Sequence, residues 1–187
     1  MLKKVIQLDN QIEQYIYLHR YHGADAFLSW CTTHATIISF SLLLLLALGY
    51  FVRKQRIYIY TALNAAVLTG LTALASNAIK LSVERLRPYE VMEQIKTPLI
   101  YSGGYSFPSG HTTEVFTLFF TVAFLIKNKW LKGVFLFWAL LIAYTRMAFG
   151  VHYPLDVTGG IVLSYLMVRI WLKYQPLQKW FPNMTNG

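Results

Sequence analysis

Five stretches of this chain stay apolar for about as long as a lipid bilayer is thick, which constrains the fold more than anything else in the sequence. They run from about Ala26 to Val52, Ile57 to Leu81, His111 to Ile126, Gly133 to Phe149 and Leu155 to Leu172. A helix needs ~20 mostly apolar residues to cross the hydrocarbon, and each stretch is near that length, the third being the shortest. Tyr58, Tyr60, Trp130, Trp171 and Tyr174 stand near the ends, as interfacial anchors do. Charged residues are only 13% of the chain, about half the ~25% of an average soluble protein. Much of the surface must therefore face lipid. The expected fold is all-α: an integral membrane helical bundle of five transmembrane helices in a single domain over residues 1–187.

Residues 1–22 read as a short amphipathic helix, with Val5, Ile6, Ile12 and Ile16 at helical spacing between Lys3, Lys4, Asp9, Glu13 and His19. Asp9 and Glu13 would be costly in hydrocarbon. The segment is thus expected to lie in the interface; six spans result if it crosses. It is too polar for a secretory signal and lacks a small-residue cleavage site after an apolar core. The single Cys31 excludes an internal disulfide and reads as a buried structural thiol.

The formal charge of +9 is compatible with an anionic membrane or an anionic substrate. Nucleic acid is not expected as a partner, because the basic residues sit at the ends of apolar runs and form no hydrophilic stripe. Arg53, Lys54 and Arg56, then Lys127, Lys129 and Lys132, then Lys173 and Lys179 fall on one side of a five-span layout, which the positive-inside trend marks as cytoplasmic. The opposite side carries Lys80, Arg85, Arg87, Lys96 and Arg146. These residues defy the trend and require another reason to be there. On the same reasoning the Asn183-Met-Thr185 triplet, a formal glycosylation acceptor, falls on the cytoplasmic tail and is discounted.

Three short stretches flank that opposite side: Lys80 to Pro88, Ser106 to His111, and Thr145 to Asp156. Lys80, Arg87 and Arg146 supply cations, and arginine can fork onto two phosphate oxygens. Ser109 and Gly110 precede the third span, where backbone N–H groups pointing out of a helix N-terminus make an anion site; glycine there allows close approach. Of His111 and His152, one can attack phosphorus and the other can protonate the leaving oxygen. Asp156, four residues after His152, can bond one ring nitrogen and leave the other as a free lone pair. Nearby cations favour the neutral imidazole. The expected chemistry is phosphoryl transfer through a phosphohistidine. Any one of these stretches alone has a bland explanation, such as a snorkelling lysine. Their joint occurrence on one face does not. Tyr101 to Tyr105, with its two glycines, reads as a plain loop, and His19, His22 and His34 as surface or packing residues.

This combination resembles the type 2 phosphatidic acid phosphatase family, whose pattern is Lys-x6-Arg-Pro, Pro-Ser-Gly-His and Ser-Arg-x5-His-x3-Asp. Lys80 and Arg87-Pro88 fill the first part, Pro108 to His111 the second, and Arg146, His152 and Asp156 the third. The resemblance implies that His152 is the nucleophile, Asp156 its orienting carboxylate and His111 the general acid. It implies Lys80, Arg87, Ser109, Gly110 and Arg146 as phosphate ligands, with no metal and no cofactor. Thr145 stands where the family usually has serine, which puts that hydroxyl's phosphate contact in question. The resemblance also implies a membrane lipid phosphate as substrate and a site open to the extracytoplasmic face, in a bacterial inner membrane. Undecaprenyl diphosphate is the first expectation; phosphatidylglycerophosphate, phosphatidate and a lipid A phosphate follow. A lipid phosphotransferase is the alternative chemistry.

Overall fold

The computed structural model describes residues 2–95 and 99–174, so Lys96, Lys179 and the Asn183 triplet lie outside the described residues. Within them the chain is helical, with no strand. The helices are α1 (Leu2–Leu18), α2 (Asp25–Thr33), α3 (Ala35–Arg53), α4 (Ile57–Val83), α5 (Pro88–Val91), α6 (Gly110–Leu125), α7 (Lys129–Ala148) and α8 (Pro154–Tyr174). Short 3-10 turns occupy His22–Ala24 and Glu93–Ile95.

Four helical stretches are long and apolar enough to cross a membrane: Ala35–Arg53, Ile57–Val91, Lys129–Ala148 and Pro154–Tyr174. One expectation is corrected here. The stretch from Ala26 to Val52 is not one helix. It breaks at His34, whose backbone leaves helical geometry while its amide and Nδ1 both approach the Trp30 carbonyl, at 3.1 and 2.9 Å. A ring that satisfies a backbone group locally competes with continuation of the helix. The N-terminal segment is a helix, as expected, and it turns its polar side to the bundle. Asp9, Glu13 and Tyr17, one turn apart, are buried against the bundle, whereas Val5, Ile6, Leu8, Ile12 and Leu18 are exposed. Its polar stripe faces inward, so the two acids avoid lipid by turning toward protein.

The shortest of the long helices, α6 (16 residues), is the centre of the packing, against α4, α7 and α8. Its threonines make this possible. Thr113, Thr117 and Thr121 each return their hydroxyl to the carbonyl four residues back, at 2.7–2.8 Å, leaving small side surfaces. Gly160 on α8 completes the fit: a Cβ there would lie 3.0 Å from both the Ser109 carbonyl oxygen and Thr113 Oγ1. Small residues are what let membrane helices approach closely. Cys31 is a free thiol in the adjoining core, packed with Phe116, Trp138 and Ile142.

Candidate active site

The carbonyl-to-amide ladder of α4 stops at Glu84, which adopts a left-handed conformation (φ 51°). The chain therefore doubles back, and Arg85 and Arg87 are delivered to the same end of the bundle as the start of α6, the end of α7 and the start of α8. At the other junction α7 ends at Ala148, and Gly150 (φ 69°) turns the chain so that the Val151 and His152 amides both donate to the Arg146 carbonyl, at 3.2 and 3.1 Å. These two turns bring the three motifs together.

His152 is 2% exposed and sits between two partners of opposite sign. Its Nε2 is 3.1 Å from Arg87 Nη1. Its Nδ1 is 3.4 Å from Asp156 Oδ2 and also 3.4 Å from Ser106 Oγ. Asp156 is fully buried, and its Oδ2 also accepts the Ser106 hydroxyl and the Tyr153 backbone N–H at 2.9 Å. The aspartate thus reaches the imidazole together with Ser106, a residue to which the sequence assigned no role. Burial, reinforced by Arg146 and Arg87 and opposed by the Asp156 hydrogen bond, pushes His152 down to about 3. It is a neutral imidazole at physiological pH.

The cations surround this pair. Arg87 (3% exposed) donates from Nε to the Gly104 carbonyl, from Nη2 to Gly103 and from Nη1 to Val151, at 2.8–2.9 Å. Lys80 Nζ donates to the Tyr105 carbonyl at 2.7 Å. Arg146 (1% exposed) donates from Nη1 to Thr32 Oγ1 and from Nη2 to Ser102 Oγ, while its buried Nε has no partner. Residues 102–105 are therefore more than the plain loop the sequence suggested: their oxygens occupy donors of all three cations.

His111 lies in the first turn of α6, half-buried, and lines a cleft of about 190 Å³ with Ser76, Asn77 and Glu114. Gly110 is the first residue of α6, with open space where a Cβ would project. Ser109 fits its expected role less well. Its backbone N–H donates to the Asp156 carbonyl at 3.0 Å and its buried hydroxyl accepts from Thr112 at 2.9 Å, because the fold uses it to join α6 to α8. Thr145 likewise turns its hydroxyl to its own helix, onto the Ile142 carbonyl at 2.7 Å.

A further cation lies beside the site. Arg85 donates from Nη1 to Asp156 Oδ1 at 2.8 Å and from Nη2 to Asp9 Oδ2 at 2.6 Å. Its guanidinium carbon is 3.7 Å from the centre of the Tyr153 ring. Asp9 Oδ1 in turn accepts the Leu155 N–H at 2.9 Å. Among the described residues, no group of three or more His, Cys, Asp or Glu side chains is placed to hold a metal.

The sequence model of the PAP2 superfamily matches residues 61–180, which include all three motifs. The chain belongs to the PAP2 superfamily. Membership agrees with the resemblance carried by the motifs, and the relatives named below are phosphatases. Its relatives include the undecaprenyl-diphosphatase BcrC of Bacillus subtilis, 27% identical, with the alignment covering 89% of this chain and 83% of that one. The lipid A 4′-phosphatase of Bacteroides thetaiotaomicron is 30% identical over 56% of this chain, which spans about half (49%) of that longer protein. The fold matches the crystal structure of a transmembrane PAP2-type phosphatidylglycerolphosphate phosphatase from Bacillus subtilis, with a TM-score of 0.72 at 22% identity over 92% of this chain and 86% of that chain.

Proposed function

We propose that the chain hydrolyses a lipid phosphate or diphosphate through a phosphohistidine on His152, at the extracytoplasmic face of a bacterial inner membrane. The observation that carries this reading is the two-sided setting of His152: Nδ1 faces Asp156 and Ser106, and Nε2 faces the Arg87 guanidinium. A neutral imidazole held in that way presents its Nε2 lone pair where a phosphate bound by cations would lie. Nε2 attacks phosphorus as the bond from phosphorus to the lipid-side oxygen breaks, and His111, which takes up a proton once the phosphate anion offsets the surrounding cations, gives that oxygen its proton. Water then attacks the phosphoryl group, His111 takes the water's proton, the P–N bond breaks and phosphate leaves. Lys80, Arg87 and Arg146 hold the charge on the transferring group, with the Gly110 N–H and Ser109 assisting. Ser109 assists by fixing the start of α6, since its own N–H is engaged.

Undecaprenyl diphosphate is the first substrate to test, in keeping with the undecaprenyl-diphosphatase similarity along most of the chain. The purified protein in detergent is presented with undecaprenyl diphosphate, phosphatidylglycerophosphate, phosphatidate and lipid A, and phosphate release is measured. Release from the first, with an acid-labile phosphoenzyme that is lost in His152→Ala, is the expected outcome. Undiminished release by His152→Ala would sink the mechanism, and labelled phosphate passing onto a second lipid instead of water would make the chain a transferase.

A further inference from the structure

We propose that α1 is a working part of the site: Asp9 and Arg85 are positioning residues that hold the Asp156 carboxylate, and through it His152, in reactive geometry. This rests on His152 as the nucleophile.

The geometry forms a closed circuit. Asp156 stands in the first turn of α8. Its Oδ2 is engaged by Ser106 and by the Tyr153 N–H, and its Oδ1 is engaged by Arg85 Nη1. Arg85 is fixed by two further contacts, the face of Tyr153 and the Asp9 carboxylate. Asp9 then closes the circuit by accepting the Leu155 N–H. The first N–H groups of a helix have no partner within it, and a carboxylate there also suits the helix dipole. Asp9 therefore caps α8 from 146 positions earlier in the chain. One carboxylate fixes both the helix that carries Asp156 and the cation that pairs with it.

Charge makes this arrangement necessary. Asp156 is fully buried, and a buried carboxylate demands a bonded countercharge. His152 is neutral, so it does not supply one. Arg85 is the cation that hydrogen-bonds Asp156 among the described residues, and it is absent from the three-part family pattern. The groups facing Asp156 are Arg85, Asp9 and Glu13 from α1 and the α4 turn, Ser106 from the loop, and His152 and Tyr153 from the α7–α8 turn, with Lys80 and Arg87 acting at longer range. Glu13 makes no hydrogen bond with either oxygen, so it contributes no hydrogen-bond geometry to the circuit.

The test uses the full chain in detergent with undecaprenyl diphosphate and dioleoyl phosphatidate in mixed micelles, and follows phosphoenzyme formation and phosphate release against pH. Arg85→Gln is expected to lower kcat by about 30- to 100-fold with KM changed less than about threefold. Its acid limb of kcat/KM moves to higher pH, because the His152–Asp156 pair loses the cation that favours its carboxylate form. Arg85→Lys recovers part of the rate. Asp9→Asn, the milder change, lowers kcat about tenfold by loosening Arg85 and the start of α8. The double variant is no slower than Arg85→Gln alone, since both residues act through one circuit. Glu13→Gln leaves the profile in place. An unmoved pH profile with loss proportional to misfolded protein, an effect confined to KM, or additive losses in the double variant would each overturn the proposal. A wild-type protein that forms no acid-labile phosphoenzyme would instead overturn the underlying reading of His152.

Discussion

The two ends of this bundle carry the same residue types and use them in opposite ways. At one end Arg53, Lys54, Arg56, Lys127 and Lys129 are exposed. At the other Arg87 and Arg146 are almost wholly buried, each held by named oxygen acceptors. Exposed cations at span ends orient a membrane protein and anchor it. Buried cations impose a desolvation cost that persists only where partners offset it. The difference teaches that burial, and not the presence of lysine and arginine at helix ends, separates the proposed phosphate site from an anchor.

The comparison breaks most sharply at its centre. His152→Ala is expected to abolish the phosphoenzyme and lower kcat/KM by at least ~10⁴-fold, with the fold kept, as quench-flow labelling will measure. A direct check of its charge state is ¹⁵N-histidine NMR: His152 remains neutral at pH 5, and an imidazolium signal there would contradict its burial. Next comes the matched pair across the membrane. Arg146→Gln is expected to cost about 10²–10³-fold in kcat by removing a positioned donor, whereas Lys127→Gln changes activity by less than about twofold.

Gly150→Ala tests the turn that presents His152. A Cβ there would clash with Ile95 Cγ2 in a left-handed backbone. A loss of about 2–4 kcal/mol is expected in thermal unfolding, from overpacking and strain together.

The smallest effect concerns Glu13. Burial, followed by the charges of Asp156 and Asp9, raises its carboxyl well above 4.5, with Arg85 opposing. A raised carboxyl contributes stability at acidic pH and loses it as pH climbs from the unfolded value through the folded one. Wild-type stability therefore declines over that range by up to about 1.4 kcal/mol per pH unit. Glu13→Gln removes that slope, so the variant's advantage in melting temperature grows with pH; a constant offset would show that Glu13 is not the titrating group.

Much of the site was legible because its chemistry is local in sequence. Lys80 with Arg87, Pro108 to His111, and Arg146 with His152 and Asp156 each sit within one short stretch, and apolar runs placed all three on one face. What escaped notice depends on contacts between distant segments. Arg85 meets Asp9 across 76 positions, and Ser106 meets Asp156 across 50. The stripe of Asp9, Glu13 and Tyr17 was visible as periodicity, but period alone does not say which face turns inward. In α1 the inward face is the polar one, the reverse of a soluble helix. The break at His34 was hidden because an unbroken apolar run reads as a single helix whatever its backbone does.

The cap that Asp9 places on α8 also sets an order of assembly. At ~5–20 residues per second, synthesis of the chain between Asp9 and Leu155 takes on the order of ten to thirty seconds. Throughout that interval α1 has made its acids but not their partners, and the interface is the one place where Asp9 and Glu13 remain solvated. The circuit proposed around Asp156 can therefore close only after α8 has been made.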